Sequence, residues 1–242
     1  MVKKFICLLL MLLSAFCSGR PIAHWRMNDD TNSTVVVDSQ GYSNGISVQD
    51  TCDINTVGKI NGALSFNGTS DYIDTNNTFQ SVFQDSFSIN LWFKITDGNC
   101  PLQSNFLYGT EGANHSMVAC WVTSDSGVVV AYYRAADSDM GGTFKEALSG
   151  GVNPWIMLTV VVSEMSPISA KMDIYRDSVI QSSHSNDNLS MGDCINSYNL
   201  YYGALHGTFK FSGSIDDVRI YNKAISQAEV TCLYERGMAG QE

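Results

Sequence analysis

The sequence predicts an all-β domain in which two antiparallel sheets pack face to face and one short helix follows at the C-terminus. Short apolar segments recur along the chain, separated by loops rich in Gly, Asn, Asp and Ser. The clearest of them, residues 87–95, alternates apolar and polar side chains. A helix signal stands near the C-terminus, where Ser226 is followed three residues later by Glu229, as in a capping box. Many strands and a single helix are typical of an antiparallel sandwich.

The predicted strands are short and closely spaced. They lie at residues 22–27, 46–48, 63–66, 71–74, 87–95, 106–108, 117–123, 128–134, 155–163, 171–175, 179–182 and within 211–221. The strand at 87–95 is expected to be half-buried, with Trp92 on its polar face. The last strand has apolar side chains on both faces, so we expect it to lie between two layers. Gly237 is expected to supply the left-handed residue that ends the helix.

The N-terminus has the pattern of a secretory signal peptide. Lys3 and Lys4 precede an apolar run at residues 5–13, and small residues follow. We therefore expect residues 1–19 to be removed and residues 20–242 to form one secreted domain. The apolar run is too short to span a membrane, which takes about 20 residues. A lipid anchor at Cys17 is an alternative, although Phe16 is unlike the small residue that such processing requires.

The net charge argues against some classes of partner, and the cysteines indicate how many disulfides can form. A formal net charge of −10 argues against nucleic acid or an anionic membrane as partner. After the predicted signal peptide, five cysteines remain, namely Cys52, Cys100, Cys120, Cys194 and Cys232. Two disulfides and one unpaired thiol are the simplest outcome, and Cys100–Cys120 is the favoured bridge because both lie near one predicted hairpin. No CxxC or Cys/His spacing of a zinc site is present.

Five N-x-Ser/Thr sequons are candidate glycosylation sites if the source is eukaryotic. They are Asn32, Asn67, Asn76, Asn114 and Asn188. Asparagine is abundant in this chain, so we expect only some of these sites to be used.

Segments along nearly the whole chain resemble a known family. In order, IAHWRMNDD, DSQGYSNG, NGALSFNGTSDYIDT, SFSINLWFKI and FSGSIDDVRIYNKAISQAEVTCLYERG are similar to a LamG-like jelly-roll domain of the concanavalin A-like lectin/glucanase group. The closing IDDVRIYNKAIS followed by a helix is the most specific part. The resemblance implies a jelly roll of two stacked, curved sheets. Many relatives bind carbohydrate or cell-surface proteins and many hold calcium, but this fold carries varied functions.

The resemblance implies a candidate structural calcium site. In relatives, an acidic residue after the first strand, the Asp that opens a DxxG loop and an Asp of the last strand can converge. The matching positions here are Asn28 or Asp29, Asp38, and Asp216 or Asp217. Calcium prefers six to eight oxygen ligands, and Asn28 stands where an Asp is usual. The alternative is that Asp38 caps its own turn and that Asp217 pairs with Arg219 or Arg26.

The candidate ligand-binding residues are four aromatic residues and one arginine, because sugars stack their C–H faces on flat rings and take hydrogen bonds at their edges. They are Trp92, Trp121, Tyr132, Tyr133 and Arg134. For Trp92 we favour the alternative that it packs under a second layer, as a strand buried on both faces requires.

No catalytic residue is predicted. Glycoside hydrolases need two carboxylates that face each other, and no two of the six glutamates alternate along a strand. Asp71 and Asp74 are expected to point to opposite faces, and no GxSxG motif is present. The sequence thus predicts a non-catalytic module that binds glycans or extracellular proteins, with a structural calcium ion. The competing hypotheses are a structural or adhesive surface protein without a small-ligand site and, more remotely, a glycoside hydrolase.

Overall fold

The computed structural model of this chain describes residues 19–95, 105–111, 116–123, 128–145 and 154–242. In this part of the chain, the strands form two eight-stranded antiparallel sheets, named sheet A and sheet B here, which pack face to face around one main apolar core. The predicted two-sheet jelly-roll sandwich with a C-terminal helix is confirmed. Residues 1–18 of the predicted signal peptide lie outside the described residues.

The strands and helices have the following bounds. In chain order the strands are β1 (Ala23–Trp25), β2 (Val35–Val36), β3 (Gly45–Ser47), β4 (Asn55–Val57), β5 (Gly62–Asn67), β6 (Ile73–Asp74), β7 (Phe87–Ile95), β8 (Asn105–Glu111), β9 (Met117–Val122), β10 (Val128–Ala135), β11 (Ser138–Lys145), β12 (Ile156–Ser166), β13 (Ser169–Arg176), β14 (Val179–Asn186), β15 (Tyr201–Tyr202) and β16 (Ser212–Tyr221). The α-helices are α1 (Thr51–Ile54), α2 (Gln80–Phe83) and α3 (Gln227–Met238).

The strand order places sequence-distant segments side by side. Sheet A has the order β14-β13-β12-β7-β16-β5-β4, and β1 also pairs with β16. Sheet B has the order β11-β10-β9-β8-β15-β6-β3-β2. Strand β16 is buried along nearly its whole length, as predicted, because the core lies on one side and a second apolar cluster under α3 lies on the other.

Strand β7 is buried on both faces, so the prediction of a half-buried strand is wrong. Its alternate apolar residues face the core between the sheets. The opposite face packs under α3, where Trp92 belongs to the second apolar cluster together with Val230 and Leu233 and stacks on Tyr234. Ser88 and Asn90 on this face are fully buried, and their hydrogen-bond donors are satisfied within the protein. Asn90 Nδ2 donates to Thr159 Oγ1 at 2.8 Å, whereas Asn90 Oδ1 has no partner in the described part of the chain. The alternation reflects small polar side chains under a helix rather than contact with water.

Helix α3 begins with the predicted capping box. The Ser226 hydroxyl accepts from the Glu229 N–H, and the Glu229 carboxylate accepts from the Ser226 N–H at 2.8 Å. Gly237 does not end the helix, which corrects the prediction. It lies inside α3, where an added Cβ would stand 2.5 Å from the Trp92 ring, so its missing side chain lets the helix approach that ring. The left-handed residue after the helix is Gly240, with φ +67°.

Several elements were not predicted from the sequence. They are the strands β2, β4, β11 and β15 and the short helices α1 and α2. Strand β11 has the sequence SDMGGTFK, in which only Met140 and Phe144 are buried. Its two glycines and exposed polar residues resemble a loop, because pairing with β10 rather than local propensity makes it a strand.

The cysteine prediction is corrected at Cys120. Cys120 is a free thiol whose side chain lies fully buried in the core, so it does not form the predicted bridge with Cys100, which itself lies outside the described residues. Burial raises the pKa of the Cys120 thiol well above its usual value. Cys52 and Cys194 are also free, whereas Cys232 is disulfide-bonded. Three free thiols among the five cysteines of residues 20–242 leave too few for two bridges within this range.

Among the helices in the described part of the chain, none is both long and apolar enough to cross a membrane.

Candidate functional site

The face of sheet B that points away from the core, called the outer face here, is the candidate site. Alternate residues of β9 and β10 are buried in the core, and the residues between them point outward and are mostly half-buried. The register aligns the outward residues in three rows across the strands. The first row is Thr143, Val130, Trp121 and Phe106; the second is Gly141, Tyr132, Ala119, Gly109 and Tyr201; the third is Asp139, Arg134, Met117 and Glu111.

Four aromatic rings form a cluster on the outer face. The Trp121 ring stacks on Phe106, with centroids 5.3 Å apart and planes at 30°. Tyr132 meets Trp121 edge-on at 6.2 Å, and Phe209, which is 43% exposed, lies 5.8 Å from Phe106. Leu205 packs with Phe106 and Ala119 beneath this cluster. No helix in the described part of the chain packs on this cluster. Part of the ring surface of Trp121, Tyr132 and Phe209 therefore remains accessible to solvent.

Polar groups stand beside the rings. The Tyr132 hydroxyl donates to Asp139 Oδ2 at 2.7 Å. Burial and this hydrogen bond raise the pKa of Tyr132 to about 12, so the hydroxyl stays protonated at physiological pH. Arg134 is half-buried, and its Nε donates to the Ala136 carbonyl at 3.1 Å. The third row therefore offers a carboxylate and a guanidinium next to flat apolar surface.

The structure brings together three of the five predicted ligand-binding residues, Trp121, Tyr132 and Arg134, and excludes the other two. Tyr133 follows Tyr132 in β10 and so points to the opposite face, where it is fully buried and its hydroxyl donates to the Phe83 carbonyl at 2.7 Å. Trp92 is buried under α3 and stacks on Tyr234, as the alternative interpretation held.

Sequence reasoning missed Phe106, Leu205 and Phe209. Phe106 belongs to a segment with no alternating pattern, and a register shift between Phe106 and Tyr108 changes its direction. Leu205 and Phe209 lie in the loop between β15 and β16, and only the fold brings this loop onto the outer face. Two apolar residues in a loop of Gly and Thr are a signal that could have been followed.

The carboxylate of Asp38, a predicted calcium ligand, accepts hydrogen bonds from backbone N–H groups. Its Oδ1 accepts from the N–H groups of His24 and Gln40 at 2.8 and 2.9 Å, and its Oδ2 accepts from those of Tyr42 and Ser43 at 2.7 and 2.9 Å. Four backbone donors satisfy both oxygens of this buried carboxylate. The alternative, that Asp38 caps its own turn, is the one the structure supports.

Asp217 and Asp216 point to different partners. Asp217 has a left-handed backbone (φ +51°) at a bulge in β16, and it pairs with Arg219 and with His24 Nε2, the latter at 2.7 Å. Asp216 Oδ2 accepts from the Ile60 N–H at 2.8 Å, and Oδ1 is buried without a partner in the described part of the chain. Burial raises the pKa of Asp216 to about 8, so its acid is mostly neutral at pH 7.

These residues do not fit a calcium ion. His24 lies between the carboxylates of Asp38 and Asp217, since its backbone N–H binds Asp38 and its ring binds Asp217. Asn28 donates to Glu242 Oε1 at 3.4 Å, and Asp29 accepts from the Val37 N–H at 3.2 Å. Within the described ranges, no group of three or more His, Cys, Asp or Glu side chains is placed to hold a metal. The carboxylates of Asp38 and Asp217 accept hydrogen bonds from N–H groups of the protein, which occupy the oxygen positions that a calcium ion would need.

We therefore expect the melting temperature to be the same in EDTA, in calcium chloride and in magnesium chloride at matched ionic strength. An ion that binds the folded state would raise it by mass action. Differential scanning fluorimetry is the measurement, and magnesium is the control for non-specific ionic effects. A rise that only calcium produces would contradict the assignment of these carboxylates to backbone and side-chain partners.

The predicted glycosylation sites lie at the surface wherever they are described. Asn32, Asn67, Asn76 and Asn188 are exposed, and Asn114 lies outside the described residues. Exposure is the condition that a sequon must meet, so these four stay candidates.

Comparison with solved structures identifies similar folds at low sequence identity. A structure of the botulinum neurotoxin serotype D binding domain has a TM-score of 0.67 at 16% identity, covering 91% of this chain and 52% of that one. The serotype D ligand binding domain in complex with N-acetylneuraminic acid has a TM-score of 0.63 at 16% identity, covering 92% and 52%. This chain thus spans about half the length of these neurotoxin structures.

Domain 4 of the extracellular arabinanase AbnA from Geobacillus stearothermophilus, in complex with arabinotriose, matches over nearly its full length. Its TM-score is 0.61 at 19% identity, covering 89% of this chain and 98% of that domain. At such identities the likeness establishes the fold alone. No curated protein sequence matches the chain significantly. The profile described as concanavalin A-like lectin/glucanases superfamily matches residues 67–231. The chain therefore belongs to the concanavalin A-like lectin/glucanase superfamily.

Proposed function

We propose that this protein is a secreted, non-catalytic carbohydrate-binding module and that a glycan lies on the outer face of sheet B. The observation that carries the proposal is the ring cluster around Trp121, whose flat surface is left open to solvent beside Asp139 and Arg134. Apolar ring surface next to a few placed polar groups is the usual composition of a small-ligand site. The rings would take the C–H face of a sugar, and the polar groups would take its hydroxyls.

A binding role suits the spacing of the carboxylates on this face better than hydrolysis does. Asp139 and Glu111 stand at the two ends of the third row, on β11 and β8. Three inter-strand steps of about 4.8 Å separate them by about 14 Å. Glycoside hydrolases hold their two carboxyl groups roughly 5 to 9.5 Å apart. This backbone spacing, together with the binding of Asp139 to the Tyr132 hydroxyl and of Glu111 to His206, supports a binding role for this face.

The similar folds support a ligand of this class. One of them is described in complex with arabinotriose and another in complex with N-acetylneuraminic acid. A family whose members include binding domains makes a module without chemistry a natural expectation for this chain.

Trp121→Ala is expected to weaken glycan binding at least tenfold, because truncation removes the central ring of the cluster. A glycan array with the mature chain would first find the ligand, and isothermal titration calorimetry would then compare the variants. Trp155→Ala is the matched control, since Trp155 is a half-buried tryptophan that packs with the cluster under α3 on sheet A. Equal melting temperatures of the variants would show that both fold.

Equal affinities of wild type, Trp121→Ala and Trp155→Ala would place the glycan elsewhere. No signal on the array would favour the alternative of a structural or adhesive surface protein that has no small-ligand site. Glycan binding that requires calcium would contradict the conclusion that the predicted calcium ligands do not fit a calcium ion.

A further inference from the structure

A cleft of about 230 Å³ lies far from the outer face of sheet B. It is formed by the loop at residues 39–44, by α2 with the residues that follow it, and by the turn after β16. Its lining residues are Ile22, Tyr42, Ser81, Val82, Asp85, Ser86 and Asn222. The loop follows β2, the last strand of sheet B, and β2 is five strands from β9, which carries Trp121. None of the residues that line the cleft belongs to the ring cluster of the outer face.

An exposed aromatic ring forms one wall of the cleft. Tyr42 is 49% exposed, and its ring stacks on the buried Phe79, with centroids 5.5 Å apart and planes at 29°. The ring is fixed from behind, because Asp38 binds the N–H groups of Tyr42 and Ser43 and the Trp25 indole donates to the Ser43 carbonyl at 3.0 Å. A flat ring held in place before a ligand arrives loses little freedom on binding.

The rest of the cleft presents polar groups whose hydrogen-bonding capacity is wholly or partly unused within the described part of the protein. Among the described residues, the hydroxyls of Tyr42 and Ser81 and the amide of Asn222 make no hydrogen bond, and Asp85 uses only Oδ1, which accepts from the Ser86 N–H. Small apolar surface from Ile22 and Val82 completes the lining. Hydroxyl, amide and carboxylate groups around one ring match the hydroxyls and C–H face of a sugar.

The charge of the cleft selects among sugars. Asp85 has no ion pair in the described part of the chain, and Lys223, which follows Asn222, is already paired with Glu229 at 2.7 Å. An anionic ligand would meet an uncompensated carboxylate, whereas a neutral polyol can donate hydroxyl protons to it. The volume suits one ring, since sites for larger ligands start at about 300 Å³.

We propose that this cleft is a second saccharide site, which takes a single neutral sugar ring stacked on Tyr42 with hydroxyls bound to Asp85 and Asn222. It is separate from the outer face of sheet B and does not depend on Trp121. Two separate sites on one module would let it hold two branches or two chains at once, which raises avidity without new contacts.

The test is NMR titration of the ¹⁵N-labelled mature chain with D-glucose, D-galactose and D-mannose, each alone, and with N-acetylneuraminic acid as the anionic comparator. At least one neutral sugar is expected to shift the amide signals of residues 39–44 and 79–86, in wild type and equally in Trp121→Ala. The affinity is expected to fall at least tenfold in Tyr42→Ala, to be kept in Tyr42→Phe, and to fall in Asp85→Asn. N-acetylneuraminic acid is expected to leave these signals unchanged.

The control is Tyr198→Ala, which removes another tyrosine that is about half exposed. Tyr42 is a surface residue, and melting temperatures would check that each variant folds. Shifts that persist unchanged in Tyr42→Ala would overturn the proposal, and so would the absence of shifts in this cleft with all three neutral sugars. Loss of glycan binding in Trp121→Ala alone concerns the outer face and leaves the cleft unaffected, so the two proposals can fail separately.

Discussion

Asp38→Ala is expected to destabilise the fold by about 4 kcal/mol, because four backbone N–H groups lose their acceptor at once. Asp38 is 4% exposed, so water cannot fully replace the carboxylate. For a domain of this size, about 4 kcal/mol corresponds to a fall in melting temperature of roughly 8 to 16 °C. The stability of Asp38→Asn is expected to lie between those of wild type and Asp38→Ala, since an amide offers one acceptor oxygen instead of two.

Urea unfolding of the mature chain at pH 7 measures this effect. Asp30→Ala is the matched control, because Asp30 is an exposed aspartate eight positions earlier in the chain. A fall of less than about 1 kcal/mol in Asp38→Ala would mean that the four donors find other partners. The same variant is expected to weaken sugar binding in the cleft, because the loop that holds Tyr42 would lose its anchor.

The sandwich could be predicted from the sequence because its signals are local. Alternation along residues 87–95 and the capping box at Ser226 each depend on side chains a few positions apart, and both mark real elements. What covers a strand is not local. Trp92 was expected to pack under a second layer, but the sequence did not identify that layer as α3, which lies more than 130 residues later in the chain and which Gly237 allows to approach closely.

The residues of the candidate sites likewise fall into two groups: those that a local sequence pattern predicts and those that only the fold brings together. Trp121, Tyr132 and Arg134 could be chosen because alternation along β9 and β10 separates outward from inward residues, although the same rule should have excluded Tyr133. The turn around Asp38 was also predictable, since an Asp before Gly and Asn commonly caps its own turn. Pairing of His24 with Asp217 was not, because 193 positions separate them and only the pairing of β1 with β16 brings them together.

Asp216 is expected to make the protein less stable as the pH rises. Burial is the largest cause of its raised pKa of about 8, and the N–H of Ile60, which favours the charged form, offsets this only in part. The folded state therefore keeps a proton that the unfolded chain releases near pH 4. Between about pH 4 and pH 8, this one group lowers the free energy of unfolding by about 1.4 kcal/mol per pH unit. The stabilisation is complete below pH 4 and is lost by the time the pH passes 8.

Asp216→Asn should remove this dependence, because an amide resembles the neutral acid in size and cannot ionise. The variant is expected to equal wild type near pH 4 and to become more stable than wild type as the pH rises, by on the order of 5 kcal/mol at pH 8. Urea unfolding at pH 4, 5, 6, 7 and 8 measures the difference between the two curves, in which the titration of groups that do not interact with Asp216 cancels. Asp30→Asn, which removes an exposed carboxylate, controls for the change in net charge. Parallel curves for wild type and Asp216→Asn would mean that Asp216 is ionised in the folded protein, and its burial would then require a cation that the described residues do not supply.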